Sequence, residues 1–193
     1  MTAPARSRST GLRDAELIAA MARGQLEALG ALFDRHEPAV RRYFGRLGIG
    51  RDDADDLVQA TFLEAHRAAQ RFDDRHTAIS WLLGIATMMA RRHRRSVGRA
   101  LARIAAWAAH PRRDLAQSHA PDELMDRDRA VARVAAALDR LSSKKRETFV
   151  LVALEGLSGE QVASALGIPV RTVWTRLHHA RRELRALLAE DAP

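Results

Sequence analysis

Between Val170 and Leu187, Val173, Leu177, Ala180 and Leu184 recur at helical spacing and mark a buried face. Arg171, Thr172, Thr175, Arg176 and His179 then project from the other side, and Arg182 extends the same cationic stretch. Arginine can pair bidentately with guanine edges, while hydroxyls and nearby arginines hold phosphates, so this is the chemistry of a helix that enters a DNA major groove. An ordinary helical hairpin with a solvated arginine face is the alternative, and the residues just upstream argue against it. Ser158 suits an N-cap, Gly159 to Leu166 a short helix, and Gly167-Ile168-Pro169 a tight turn. Ala163 is small where two helices would cross, Gly167 allows a positive φ, and Val162, Leu166, Ile168, Val173 and Leu177 supply a shared core. This is a helix-turn-helix layout.

The charge balance points the same way. The chain has 193 residues, 32 cationic and 24 acidic side chains and a net charge of +8, and Lys144 and Lys145 are its only lysines. No acidic residue stands between Asp74 and Asp114, yet Arg75, Arg91, Arg92, Arg94, Arg95, Arg99, Arg103, Arg112 and Arg113 do. Positive charges without counter-charges repel one another unless a polyanion is near, which favours nucleic-acid contact over a merely solvated face. The absence of cysteine excludes disulfides, thiolate zinc sites and cysteine nucleophiles. The eight histidines show no metal-ligand spacing and no glycine loop suits a phosphate, so the expectation is no enzyme, no metal and no cofactor. His178-His179 is most simply a polar stretch of the recognition helix. No stretch approaches the roughly 18 apolar residues of a membrane span and Met1 to Thr10 lacks a signal-peptide core, so a cytoplasmic protein without membrane insertion is expected.

Helix formers dominate, with 11 glycines, 6 prolines and no useful period-two alternation, so the chain is expected to be all-α. Residues 14–23, 25–48, 52–70 and 77–96 read as helices of a first bundle, with Pro38 a kink and Asp53 an N-cap. Residues 1–11 read as a disordered tail, 12–98 as the first domain, 99–125 as a flexible linker and 126–193 as the second domain. Leu101, Ile104, Ala105 and Ala108 could form one short helix in that linker. In the second domain Val131, Val134, Ala135, Leu138 and Leu141 give an amphipathic helix. Ser142 or Ser143 can cap the next, which runs to Glu155 and stops at Gly156. The run Phe149 to Leu154 has the periodicity of a buried strand as well, but a lone strand among helices would leave its backbone groups without partners.

With these elements placed, the chain resembles a bacterial sigma factor of the extracytoplasmic-function (ECF) group, within the sigma-70 family. The likeness rests on Arg146-Glu147, Glu155-Gly156-Leu157-Ser158, Val162-Ala163, Leu166-Gly167-Ile168 and Thr172-Val173-Trp174-Thr175-Arg176-Leu177, similar to the family's region 4, which reads the minus 35 promoter element. Upstream, Asp53-Ala54-Asp55-Asp56-Leu57-Val58-Gln59-Ala60-Thr61-Phe62 resembles region 2 at the helix that docks on core RNA polymerase. The resemblance implies that Asp53, Asp56, Gln59 and Phe62 serve binding to the polymerase clamp helices, Phe62 either by contact or by packing in the bundle. It implies a flap contact as well, promoter DNA as ligand, an anti-sigma protein as inhibitor, and a stress or envelope-type regulon. Asp52, Asp53, Asp55 and Asp56 form an acidic patch in a basic protein, suited to a basic partner surface, and capping accounts for only one or two of them.

Trp81-Leu82, Ile85-Ala86 and Arg94-Arg95 match the family's segment for the minus 10 element. Capturing unpaired bases calls for aromatic faces flanked by cations, so Phe72, Arg75 and His76 are candidates for that pocket, with Met88, Arg91, Arg92 and Arg95 along the helix; Trp81 and Ile85 read as core. Met88 stands where the family usually has a base-contacting asparagine, and Arg92 where it often has aspartate. A thioether cannot make an amide's paired hydrogen bonds, so altered or relaxed discrimination at minus 10 is expected. Promoter elements lie roughly 55 Å apart, which a linker over 99–125 bridges only when stretched. A stand-alone helix-turn-helix regulator, dimeric on its operator, explains the C-terminal half equally well but leaves the acidic string and the arginine window unexplained.

Overall fold

The computed structural model describes residues 12–107 and 126–190, and all regular structure among them is helical. The expected tail over 1–11 and most of the expected linker, with Arg112 and Arg113, lie outside the described residues. The elements are α1 (Asp14–Ala22), α2 (Leu26–Arg46), α3 (Arg51–Ala68), α4 (Ala78–Trp107), α5 (Asp126–Arg140), α6 (Ser143–Phe149), α7 (Gly159–Leu166) and α8 (Val170–Glu190). A short 3-10 turn, Ala69–Arg71, follows α3, and a π-helical segment, Val150–Leu154, prolongs α6. The stretch with strand-like periodicity is therefore helical, as the missing strand partner requires. Helix α4 continues beyond residue 98 to Trp107, because Gly98 is the sole weak helix former there and no proline intervenes before Pro111.

Helices α1 to α4 pack around Leu17, Ile18, Leu32, Val40, Phe44, Val58, Leu82 and Leu83, all at most 1% exposed. The polar element of this core is satisfied internally. Thr87 Oγ1 donates to the Leu83 carbonyl at 2.7 Å, so the Tyr43 hydroxyl, 2.6 Å away, supplies the proton of the second bond. Burial raises the Tyr43 pKa well above that of a free phenol. The second unit has its own cluster, Ala137, Leu138 and Leu141 against Ala180, Leu184 and Leu187. Among the described side chains of α5 the C-terminal ones take part, whereas Val134 and Ala135, expected on the buried face, are exposed; Val131 lies outside the described side chains.

The two units touch. Val150, Leu151, Leu157, Val162, Leu166 and Val173 join the same apolar core as the first bundle, and α7 lies directly on α4. At the crossing Gly84 faces the α7 backbone so closely that a β-carbon there would stand 2.9 Å from the Ala165 carbonyl oxygen and 3.1 Å from its Cα. Polar contacts border this seam. Arg91 on α4 reaches Glu147 on α6, Arg46 reaches Glu155 at 2.6 Å and the Leu154 carbonyl at 2.8 Å, and Arg146 donates to the Leu47 carbonyl at 2.9 Å. Burial lowers the Arg146 pKa, with Asp139 at 2.7 Å opposing that shift.

Candidate nucleic-acid interface

The helix-turn-helix is built by local rules. The Ser158 Oγ accepts the Gln161 backbone N–H at 3.3 Å, and the Gln161 side-chain oxygen accepts the Ser158 N–H at 2.8 Å, a reciprocal cap that starts α7. Gly167 ends it at φ +64°, and the Ile168 N–H returns to the Ala163 carbonyl at 3.0 Å. The turn aims α8 so that Val173, Leu177, Ala180, Leu184 and Leu187 face inward. Arg171, Thr175, His179 and Arg182 are exposed, as the spacing requires. Thr172 and Arg176 are only half-exposed, and Nη1 of Arg176 is buried without a hydrogen-bond partner. Position 176 is three residues past Val173 and four before Ala180, so it flanks the buried stripe and its side chain is partly covered. The outward projection expected of Arg176 is thus corrected. The Thr175 hydroxyl donates to the Arg171 carbonyl at 3.0 Å, which commits its proton within the helix.

The residues expected at minus 10 separate into two sets. Arg75, Arg92 and Arg95 are exposed. Asp73 binds Arg75 through backbone and side chain, and those hydrogen bonds hold the Asp73 carboxyl down at about 2. His76, Met88 and Arg91 instead line a cleft roofed by Ser164, Ala165 and Leu166 of the second unit. The His76 Nε2 is 3.1 Å from the Ser164 hydroxyl, and Arg91 clasps Glu147 through Nε and Nη2. Phe72 is not an open stacking face: its ring meets Trp81 edge-on at a centroid distance of 5.1 Å. Trp81 is half-buried and Ile85 is 8% exposed, both packed with the core as expected.

The acidic string occupies the start of α3. Gly50 holds the N-cap position and Asp53 lies in the first turn with Asp52, so the expected Asp53 cap is corrected. Asp52, Asp53, Asp55, Asp56 and Gln59 are all exposed, Asp55 paired with Arg41 and Asp53 within 3.5 Å of His93. Phe62 resolves in favour of packing: it is 2% exposed and its ring lies 4.8 Å from Phe33. It still floors an apolar trough between α2 and α3, walled by Leu26, Leu29, Gly30, Gln59 and Leu63. Leu26 is 65% and Leu63 53% exposed, and sequence reasoning missed both as surface residues. The signal was present in Phe62-Leu63, because adjacent helical side chains point about 100° apart and only one can enter the core.

An exposed cationic helix-turn-helix, joined to a helical bundle that carries an exposed acidic string and an apolar trough, is the arrangement of a DNA-reading factor that also docks on a protein. Residues 32–100 match sigma-70 region 2 and residues 132–184 match sigma-70 region 4. The RNA polymerase sigma factor CnrH of Cupriavidus metallidurans is 33% identical over 189 residues, 93% of this chain and 96% of the relative. The ECF RNA polymerase sigma factor SigM of Mycobacterium tuberculosis is 34% identical over 91% of this chain and 84% of its own length. Among solved structures, CnrH in complex with the cytosolic domain of CnrY superposes with a TM-score of 0.68 at 32% identity, covering 93% of this chain and 99% of that one. RpoE with the anti-sigma factor NepR from Bartonella quintana superposes at 0.63 and 26% identity, covering 83% of this chain and 96% of that one. The chain belongs to the ECF group of the sigma-70 family. It is a promoter-specific transcription initiation factor of RNA polymerase and no enzyme, which removes the stand-alone regulator from consideration. Among the described residues no helix is long and apolar enough to cross a membrane.

Proposed function

We propose that this factor works in the cytoplasm and binds the clamp helices of core polymerase through Asp53, Asp56, Gln59 and the trough over Phe62. Arg171, Thr175, His179 and Arg182 then grip the minus 35 duplex, and Arg75, Arg92 and Arg95 track the separated minus 10 strand. The observation that carries this reading is the simultaneous exposure of the cationic α8 face, the acidic start of α3 and the apolar trough, so duplex and polymerase can be held together. His76, Met88 and Arg91 lie under α7, and these reach the unpaired strand only after the two units part. Core polymerase holding the units at two promoter elements supplies the work of separation, and the tether then adds two modest DNA affinities.

The relatives solved with CnrY and with NepR support an anti-sigma protein as the inhibitor of this chain as well. Transcription with purified core polymerase on a randomised promoter library tests the whole assignment. Starts at one defined two-element promoter support it. Tight binding of the lone chain to an operator, with no defined start, would overturn it.

A further inference from the structure

Among the described residues Trp174 is the only aromatic side chain in the set of large exposed apolar ones, with 48% of its surface open. The core beneath α8 is complete without it, since Val173 is 0%, Leu177 2% and Ala180 0% exposed. The indole is nonetheless seated against protein. A β-carbon on Gly159 would stand 2.5 Å from Cζ2 of Trp174, 2.9 Å from Cε2 and 3.2 Å from Cη2, so the ring occupies space that any residue other than glycine would claim. One part of a large apolar plate is thereby pinned to the first turn of α7 while the rest faces solvent. A pinned aromatic contributes contact area at low cost in side-chain entropy.

The surroundings of that plate are those of a nucleic-acid surface. Arg171 lies three residues before it, Thr175 beside it and His178 four after it, all exposed on α8. Glu183, the acid in the following turns, is paired with Lys145. In the major groove the edges of the bases are polar except for the C5 methyl of thymine. An exposed indole near the N-terminal end of a recognition helix has one apolar partner there. We propose that Trp174, held in place by Gly159, reads a thymine methyl within the minus 35 duplex. This rests on α8 being the helix that enters the groove.

The test uses holoenzyme assembled from the full chain and core polymerase, on promoters in which each minus 35 thymine is replaced in turn by uracil, which removes the methyl alone. Open-complex formation by the wild-type factor should fall roughly fourfold at one position, the factor expected for one buried methyl group. For W174A the uracil-to-thymine ratio at that position should return to about one, and G159A, which displaces the ring, should lower the discrimination too. Should W174A fail to fold, W174K keeps a long stem over Gly159 and gives the same reading. The assignment is overturned if W174A keeps the full discrimination, if no thymine methyl matters to the wild type, or if W174A loses core polymerase with its uracil response intact, which would make the ring a protein contact. R171A separates the two levels: if it leaves all minus 35 dependence unchanged, α8 is not the reading helix, whereas loss of minus 35 binding by R171A with unchanged discrimination in W174A removes only the Trp174 assignment.

Discussion

Arg91 and Glu147 form a two-point ion pair across the seam between the units, Nη2 to Oε2 at 2.7 Å and Nε to both carboxylate oxygens at 3.1 and 3.2 Å. The Glu147 side chain is 1% exposed and that of Arg91 35%. The hydrogen bonds to Glu147 raise the Arg91 pKa further above its already high value. A carboxylate buried this deeply depends on its partner.

Removing Arg91 should therefore loosen the seam. Breaking a fully buried pair costs about 3–5 kcal/mol, and partial exposure of Arg91 reduces this to about 2 kcal/mol, roughly thirtyfold in the ratio of parted to joined units. Small-angle scattering should give a larger radius of gyration for Arg91→Ala, while Glu147→Gln, which keeps the shape and part of the bonding, should lie between. An unchanged scattering profile in both variants would show that the pair does not hold the units together.

At the trough, Leu63→Asp should weaken binding to core polymerase roughly tenfold, as expected of an apolar contact in the middle of an interface. The same change at an exposed site should move folding stability by no more than about 0.5 kcal/mol. Asp56→Ala combined with Gln59→Ala should act in the same direction. Polymerase affinity measured alongside urea unfolding checks both parts, and normal affinity in these variants removes the docking surface.

Met88→Asn places an amide donor and acceptor where a thioether now stands, beside Ile85 and under Leu166. Selection from a randomised minus 10 element should change by roughly tenfold at one base, the scale of one paired amide contact. Identical selection before and after would mean that position 88 does not read bases in this factor.

Arg171 and Arg176 should behave differently despite their shared chemistry. Arg171→Ala removes an exposed cation, so binding to minus 35 DNA should weaken and the slope of log affinity against log salt should fall by about 1. Arg176→Ala also removes a partly covered stem, so it should lower the melting temperature of the second unit. Arg176→Met, which keeps the stem and deletes the unpartnered nitrogen, should restore it. Equal melting temperatures for Arg176→Ala and wild type would return Arg176 to the outward face.

What could be read from residue order was local. The cap at Ser158, the left-handed Gly167 and the apolar spacing of α8 depend on neighbours within a few positions, and the structure has all three. The acidic string was legible for the same reason, although its cap was misplaced by three residues, since Gly50 and Asp53 both suit a helix start. The seam was not legible. Glu147 and Glu155 look like surface acids in a short helix, and nothing near them in sequence announces Arg91 or Arg46. Phe72 and Trp81 are nine positions apart and pack together only once the loop before α4 has folded back. Arg176 was misjudged because a residue flanking the buried stripe can turn either way, and only the packed neighbours decide.

At Gly84 two backbones meet with no side chain between them, so the smallest addition acts there as a wedge. A graded set of alanine, serine and valine at this one position would work as a dial on the share of molecules poised for action. It would do so without altering any group assigned to DNA or to the polymerase.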